Sequence, residues 1–253
     1  MQLKGKTALI AGAGRNNGRA IALKFASEGA NLIMVARKRE DELKQVAKEC
    51  EALGVKTLPL LADLSKHEEV NRAVEQGLAH FGKVDVLVSV AGLRPHKDFW
   101  EISYEEWHQV MAVNLHSTFY LAKALAPGMM KQKSGSIVAL GGMASLTSQP
   151  QRAHVIASKT GLYGLIKALA LELGPYNVRA NLIALNMIQN QRLNPEWYKE
   201  PGGEPLTKEA LESTPLRRAG TREEVANVAL FLASDQSSFV TGDRVICAGG
   251  RIM

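Results

Sequence analysis

The sequence predicts an α/β fold, in which a single doubly wound parallel sheet of seven strands carries helices on both faces. Short apolar runs alternate with amphipathic runs along the whole 253-residue chain, as strands and crossover helices do in parallel sheets. The run Val84–Val90 is nearly all apolar, as expected for a strand buried on both faces. A glycine-rich turn joins the first apolar run to the first amphipathic run.

The same alternation gives the expected position of each element. Ser65, with Glu68 three residues later, has the pattern of a capping box and predicts the start of the third helix. Pro127 is expected to interrupt the fourth helix. The strands are expected at Thr7–Ala11, Asn31–Ala36, Lys56–Ala62, Val84–Val90, Ser136–Leu140, Val178–Ala184 and Asp243–Cys247, and the principal helices at Arg19–Gly29, Arg39–Leu53, Ser65–Phe81, Ser103–Met130 and Arg152–Leu173.

The turn after the first strand has the composition of a phosphate-binding turn. Strand, glycine-rich turn and helix together direct unpaired amide N–H groups of the helix N-terminus at an anion. Gly12 permits a sharp turn, and Gly18 permits close packing of helix on strand. Asn16 stands where a third glycine is common, and asparagine tolerates left-handed backbone. Arg15 adds a positive charge; the alternative is a tight connection that binds no ligand.

Composition narrows the class of protein. Apolar residues make up 46% and charged residues 22%, which supports a large core in one domain, residues 1–253. The formal net charge of +6 is scattered and has no interleaved aromatics, so we expect an anionic small molecule rather than nucleic acid. No run is long enough to span a membrane, and no signal-peptide pattern precedes the first strand. Cys50 and Cys247 are expected to be reduced packing residues, without a metal site, in a cytoplasmic protein.

The segment from Met187 to Arg222 departs from the alternating pattern. It is rich in proline and glycine, and it carries Trp197 and Tyr198. Its place after the sixth strand predicts a flap over the carboxyl edge of the sheet, which we interpret as a substrate lid. The alternative is a surface excursion whose Trp197 packs on its own domain.

These motifs resemble those of the short-chain dehydrogenase/reductase family over nearly the whole chain. Residues 11–18 resemble the family's Thr-Gly-x-x-x-Gly-x-Gly turn, and Asp63 with Leu64 resembles its acidic position after the third strand. Further resemblances are Ser89-Val90-Ala91-Gly92 to its Asn-Asn-Ala-Gly element, Asn114 to its helix asparagine, and Leu232-Ala233-Ser234-Asp235, Thr241-Gly242 and Gly249-Gly250 to its closing pattern. The resemblance implies a Rossmann-type fold, and oxidation of alcohols or reduction of carbonyls with NAD or NADP.

The resemblance also implies a catalytic Ser, Tyr and Lys, of which this chain matches only the last. Lys159 matches the lysine, but Val155 stands at the tyrosine position and Gly142 at the serine position. These two positions keep the family's interval, so a shift in register does not explain the difference. Valine cannot protonate an alkoxide and glycine offers no side-chain donor, so the standard proton machinery is expected to be lost.

The cofactor predicted from these residues is NADP, with NAD as second choice. NAD enzymes of this fold place an acid at the end of the second strand, where this chain has Arg37 and Lys38. These cations suit a 2′-phosphate; the alternative is that they form a solvated helix start. Asn190 corresponds to the threonine that meets the nicotinamide carboxamide. The resemblance gives the cofactor-binding set as Gly12, Gly14, Arg15, Asn16, Asn17, Gly18, Arg37, Lys38, Asp63, Leu64, Ala91, Gly92, Asn114, Lys159 and Asn190.

The candidate catalytic residues are Asn114 and Lys159. Lys159 either binds the nicotinamide ribose or acts as a lone base, and Asn114 either binds a water or caps a helix bend. His154 could supply a proton, but one helical position turns it about 100° from Val155, which favours a surface or interface histidine. Ser145 and Ser148 could replace the lost hydroxyl but are expected to be ordinary loop residues, and Tyr163 is expected to pack in the core or an interface. His96 and Tyr104 follow the fourth strand and could line the pocket.

Three functions follow from these observations. The first is an NADP(H)-binding oxidoreductase-family protein with weak, atypical or absent redox activity on a small-molecule substrate. The second is a lyase, isomerase or hydrolase that uses the same pocket. The third is a non-catalytic cofactor-binding subunit of a hetero-oligomer. The helices Ser103–Met130 and Arg152–Leu173 resemble those that form the family's tetramers, which implies a homotetramer or homodimer.

Overall fold

The computed structural model describes residues 1–189 and 208–251, and its centre is a seven-stranded, fully parallel sheet. The strand order is β3-β2-β1-β4-β5-β6-β7, so the predicted doubly wound, Rossmann-type sheet is confirmed. The strands are β1 (Thr7–Ala11), β2 (Asn31–Ala36), β3 (Thr57–Leu61), β4 (Val86–Ser89), β5 (Gly135–Leu140), β6 (Val178–Leu185) and β7 (Arg244–Cys247).

Helices cover both faces of the sheet. One core layer packs α1, α2 and α8 against the sheet, and the other packs α3, α5 and α6. The helices are α1 (Asn16–Ser27), α2 (Glu40–Glu51), α3 (His67–Phe81), α4 (Tyr104–Met111), α5 (Ser117–Gln132), α6 (Ala153–Leu173), α7 (Lys208–Glu212) and α8 (Arg222–Ala233).

The strand order reverses between β1 and β4, and this reversal opens a crevice at the carboxyl edge of the sheet. Gly12 follows β1 with φ +97°, and a Cβ there would lie 3.2 Å from the amide nitrogen of Ala91 after β4. A Cβ on Gly18 would lie only 1.9 Å from the carbonyl oxygen of Gly12. Both predictions for these glycines are confirmed, because the turn passes too close to its neighbours for a side chain.

Two local predictions were wrong. Ser65 does not cap α3, because its hydroxyl donates to Asp63 at 2.7 Å and the helix begins only at His67 after Lys66. Pro127 lies inside α5 and does not interrupt it. The interruption of the long helix is instead a π-helical segment, Ala112–His116, between α4 and α5.

Strands β1 and β2 have the expected bounds, and the other element boundaries coincide with expectation or differ from it by at most three residues. Helix α1 begins at Asn16, three residues before the expected start, because the last residues of the glycine-rich turn already form its first turn. Among the described residues, no helix is long and apolar enough to cross a bilayer, and no group of three metal-ligating side chains converges.

Candidate functional site

The turn between β1 and α1 presents bare backbone at the crevice. Asn16 has φ +48°, so the predicted left-handed residue is confirmed. Arg15 is the N-cap residue of α1; no side chain caps the helix and no acid lies in its first turn. The Oδ1 atom of Asn17 is buried without a hydrogen-bond partner in the described part of the chain. The N-terminus of α1 therefore offers amide N–H groups and positive potential to an anion.

The next part of the crevice lies at the ends of β2 and β3. Arg37 and Lys38 are exposed directly after β2, and Leu64 is buried. The Asp63 carboxylate accepts hydrogen bonds from the backbone and hydroxyl of Ser65. Burial opposes its ionisation, but these hydrogen bonds and the nearby charge of Arg37 lower the pKa of Asp63 overall. Asp63 is therefore an ionised acceptor beside an exposed cation.

Asn114 lies in the π-helical segment and links the segment after β4 to helix α6. Its Oδ1 atom accepts from the Leu93 amide at 2.7 Å, and its Nδ2 atom donates to the Leu93 carbonyl and the Ser158 hydroxyl, both at 3.0 Å. It is 1% exposed, so these contacts fix its orientation. Asn114 thereby attaches the segment after β4 to α6, and a role in binding water stays a prediction.

Lys159 is buried on α6 and reaches the carboxyl end of β5. Its Nζ atom donates to the carbonyl of Leu140 at 2.8 Å. A Cβ on Gly92 would lie 3.4 Å from both this Nζ and the Oδ1 of Asn114, so the bare backbone of Gly92 faces both groups. Burial, assisted by the charge of Arg94, lowers the pKa of Lys159 to about 8. The amine can therefore exist in either protonation state near neutral pH.

Apolar or bare positions flank Lys159 where the family resemblance implies hydroxyl groups. Val155, one helical turn before Lys159, is 1% exposed. Gly142 has φ +75° and ψ 175°, a combination that is essentially restricted to glycine. The hydroxyl of Ser145 donates to the Gly142 carbonyl at 2.8 Å, and that of Ser158 donates to the Val155 carbonyl at 2.9 Å. Both nearby hydroxyl protons are thus engaged by backbone.

His154 is buried, so the expected surface position was wrong. Its side chain is fully buried, and neither ring nitrogen has a hydrogen-bond partner among the described residues. Burial lowers the pKa of His154, an effect opposed by Glu106 and assisted by Lys97. The helical rotation argument placed His154 away from Val155 but did not account for α4, which packs on α6 at this level.

Sequence reasoning missed two arginines beside His96. Arg152 contacts the Nε2 atom of His96, and Arg94 is close enough to affect the pKa of both His96 and Lys159. Burial and the charges of Arg152, Arg94 and His154 lower the pKa of His96 to about 4. A positional signal existed, because Arg94 closely follows β4 and Arg152 immediately precedes the helix that carries Lys159.

The remaining candidates lie away from Lys159 or outside the described residues. Tyr163 packs against Arg244, whose guanidinium lies 4.5 Å from its ring centre. Tyr104 is 83% exposed at the start of α4, and Ser148 is exposed. Asn190, Trp197 and Tyr198 lie outside the described residues. The described ends of the expected flap meet in an isolated parallel bridge between Ile188 and Gly220.

The crevice fits a dinucleotide. Gly12, Gly18 and Gly92 leave space at the crevice that an added Cβ atom would fill. The N-terminus of α1, which no side chain caps, suits a diphosphate. The unpartnered Oδ1 of Asn17 can accept from a hydroxyl group. Gly14 and Ala91 belong to the same two loops, after β1 and after β4.

Comparison with known proteins agrees with this geometry. A family model described as Enoyl-(Acyl carrier protein) reductase matches residues 12–251. The chain is 36% identical over 253 residues to the 3-oxoacyl-(acyl-carrier-protein) reductase FabG of Thermotoga maritima, with 100% of both chains covered. It is 35% identical over 249 residues to the FabG of Chlamydia muridarum, with 98% of both covered.

Solved structures show the same architecture. Acetoin dehydrogenase YohF from Salmonella typhimurium superposes with a TM-score of 0.86 at 30% identity, covering 97% of this chain and 95% of that one. NAD⁺-bound xylitol dehydrogenase superposes with a TM-score of 0.90 at 28% identity, covering 99% and 100%. Together with the matched family model and the full-length relatives, these similarities show that the chain belongs to the short-chain dehydrogenase/reductase family of NAD(P)-dependent oxidoreductases.

Proposed function

We propose that this protein binds NADP(H) in the crevice and lacks the family's standard serine and tyrosine, so that its carbonyl reduction is weak, atypical or absent. One observation supports the proposed lack of the standard serine and tyrosine. The two positions that would supply hydroxyl groups beside Lys159 hold buried Val155 and Gly142, and the nearby hydroxyls of Ser145 and Ser158 donate to backbone. Relatives named as reductases and a dehydrogenase with bound NAD⁺ support the cofactor class.

The chain's own residues would hold the cofactor as follows. The backbone from Gly12 to Gly18 would bind the diphosphate, Asp63 would accept a hydrogen bond at the adenine end, and Lys159 would donate to ribose hydroxyls. Bound NADP(H) would supply or accept a hydride. Asn114 keeps the loop after β4 against α6, and the buried Val155 would exclude water from the space beside Lys159.

Selection of NADP over NAD is proposed to rest on Arg37 and Lys38. Both are exposed at the end of β2, where an acid would instead bind the ribose hydroxyls. Fluorescence titration with NADPH and NADH tests this assignment in wild-type protein and in Arg37→Ala. NADPH affinity is expected to fall about tenfold or more while NADH affinity is unchanged, because only the phosphate contact is lost.

The matched control is Arg39→Ala, since Arg39 is exposed nearby but already pairs with Glu42 at 2.6 Å. It should leave both affinities unchanged. Equal losses for NADPH and NADH in Arg37→Ala would overturn the phosphate assignment. Failure of wild-type protein to bind either dinucleotide at millimolar concentration would overturn the proposed function itself.

A non-redox reaction is the second candidate, and the state of Lys159 favours it. Lys159 is buried beside Val155 with its Nζ atom at the Leu140 carbonyl, and its lowered pKa of about 8 leaves a minor fraction of the amine unprotonated near neutral pH to act as a base without a tyrosine partner. Turnover of a substrate without net change in the nicotinamide would support this candidate. Cofactor binding with no turnover of any kind would instead support a cofactor-binding subunit.

The proposed assembly is a homotetramer or homodimer formed through α5 and α6. Phe119 on α5 is 43% exposed and Leu171 on α6 is 80% exposed, so both helices present apolar surface. Sedimentation of the purified protein tests this assembly. A monomer at micromolar concentration would contradict it.

A further inference from the structure

The amine of Lys159 has neither an acidic nor a hydroxyl partner in the described part of the chain. Its one hydrogen bond there is the donation from Nζ to the Leu140 carbonyl at 2.8 Å, and it forms no ion pair with a described residue. A neutral amine that donates one hydrogen bond still carries a lone pair. No described group engages that lone pair, so the nitrogen can act as a nucleophile.

Val155 and Gly92 shape the space around this amine. Val155 lies one helical turn before Lys159 on the same face of α6 and is 1% exposed, so the surroundings on that side are apolar. Gly92 is exposed, and a Cβ on it would lie 3.4 Å from the Nζ atom. A side chain at position 92 would therefore cover the amine, whereas glycine leaves it uncovered towards the crevice.

Burial makes this amine more reactive near neutral pH. It lowers the pKa of Lys159 to about 8, against about 10.4 for a lysine in water. At pH 7.5 about a quarter of the amine would be unprotonated, compared with about one part in a thousand of an ordinary lysine. Desolvated lysines of this kind are the ones that form Schiff bases with carbonyl compounds.

We infer that Lys159 condenses with the carbonyl group of a small aldehyde or ketone to form an imine when no dinucleotide occupies the crevice. The neutral amine attacks the carbonyl carbon. One proton from the amine and one from solvent convert the carbonyl oxygen to water, and the C=N bond forms as that water leaves. The product is a protonated imine, whose remaining N–H can still donate to Leu140.

This step consumes no oxidant and no reductant. It deepens the non-redox candidate, to which it gives a covalent first step that divides one difficult reaction into two easier ones. It rests on the proposed function in one respect only, namely that the dinucleotide and the carbonyl compound compete for the same amine.

Reductive trapping in protein without cofactor tests the inference. Acetone and cyanoborohydride convert an imine to a stable N-isopropyl group, which peptide mass spectrometry locates. The internal reference is Lys56, an exposed lysine directly before β3. At pH 7.5 Lys159 is expected to be modified about tenfold faster or more, because its unprotonated fraction is about 10²-fold larger and restricted access removes part of that advantage.

Variants test the geometry around the amine. Lys159→Met should remove the fast-reacting site and leave the rate at Lys56 unchanged. Gly92→Ala places a methyl group against Nζ and should slow trapping at Lys159 several-fold. The matched control is Gly164→Ala, because a Cβ at this position of α6 meets no atom within 4 Å. Trapping at Lys159 that is no faster than at Lys56 overturns the inference, as does a rate that Gly92→Ala leaves unchanged.

Prior addition of NADP⁺, which has no hydride to give, separates this inference from the proposed function. NADP⁺ is expected to protect Lys159 and not Lys56, because the ribose would engage the Lys159 amine. Slow trapping at Lys159 in protein that binds NADP⁺ by calorimetry would contradict the inference alone. Fast trapping in protein that binds no dinucleotide would contradict the proposed function alone.

Discussion

Introducing tyrosine at position 155 is expected to create or raise carbonyl reductase activity. Val155 lies one helical turn before Lys159, so the two side chains share a face of α6. A phenol there could protonate the developing alkoxide, with its pKa lowered by the lysine ammonium. The matched control is Val155→Phe, because phenylalanine adds the same ring without the hydroxyl.

The expected gain in kcat/KM can be separated from the cost of placing a larger side chain at the buried position 155. This side chain is 1% exposed, so either aromatic ring overpacks the site, at a cost of about 1–3 kcal/mol in unfolding free energy. That cost is common to both variants and cancels in their comparison. The ratio of kcat/KM between the tyrosine and phenylalanine variants should therefore reflect general acid catalysis alone, about 10²–10⁴. Because position 142 lacks the serine hydroxyl, kcat/KM of the tyrosine variant should remain lower by a further factor of about 10²–10³.

The assay is NADPH oxidation over a panel of oxo acids and ketones, after NADPH affinity has been measured for each variant. Equal kcat/KM for the tyrosine and phenylalanine variants, with cofactor bound in both, would refute the reasoning. Wild-type activity as high as that of intact family members would refute it independently. Equal activity above zero in both variants, or high wild-type activity, would mean that another group already transfers the proton. No activity in either variant would mean that the crevice does not hold the reactants in a reactive geometry.

Three further predictions concern backbone strain and charge. Gly142→Ala should lower the free energy of unfolding, measured in urea, by about 1–3 kcal/mol, because the backbone conformation at Gly142 is restricted to glycine. The nearest atom to an added Cβ is 3.6 Å away, so the cost would come from backbone strain and not from a steric clash. A cost below about 0.5 kcal/mol would contradict this prediction. The Arg218 guanidinium and a backbone amide lower the pKa of Glu224 to about 2, so its contribution to stability should be present above the unfolded pKa of about 4.3 and vanish as pH falls towards 2. Urea unfolding of Glu224→Gln should accordingly show a deficit of at most about 1 kcal/mol at neutral pH that disappears in acid, since the pair is exposed. Arg94→Gln should raise the pKa of Lys159 above about 8 by removing a like charge, as followed by carbon resonances of labelled lysine, and an unchanged value would exclude that interaction.

The geometry of the glycine-rich turn after β1 could be predicted from sequence because it is a requirement on the backbone of single residues. Only glycine fits at position 18 against the Gly12 carbonyl, and Asn16 adopts the left-handed conformation expected of asparagine. The parallel, doubly wound sheet was likewise predictable, because nearly all-apolar runs that alternate with amphipathic runs indicate strands covered by helices on both faces.

The features that sequence did not predict depend on contacts between distant segments. The π-helical segment around Asn114 coincides with bonds to Leu93 and Ser158, which lie 21 and 44 residues away. His154 is buried because α4 packs on α6, not because of any helical periodicity. The Ser65 hydroxyl donates to Asp63 instead of capping α3. The capping-box pattern alone cannot predict which of these two local hydrogen bonds forms.

The loop after β5 indicates that positions 142 and 155 would not accept a hydroxyl-bearing residue equally well. The Ser145 hydroxyl donates to the Gly142 carbonyl, and Arg244 donates to the Ser145 carbonyl at 2.7 Å while stacking on Tyr163. A serine at position 142 would therefore have to adopt a glycine conformation in a loop that is held by its internal hydrogen bond and by Arg244. Position 155, by contrast, lies in regular helix, where tyrosine needs no change of backbone. Reactivation should consequently begin with Val155→Tyr, and Gly142→Ser should add activity only where it is combined with a change that releases the loop, such as Arg244→Ala.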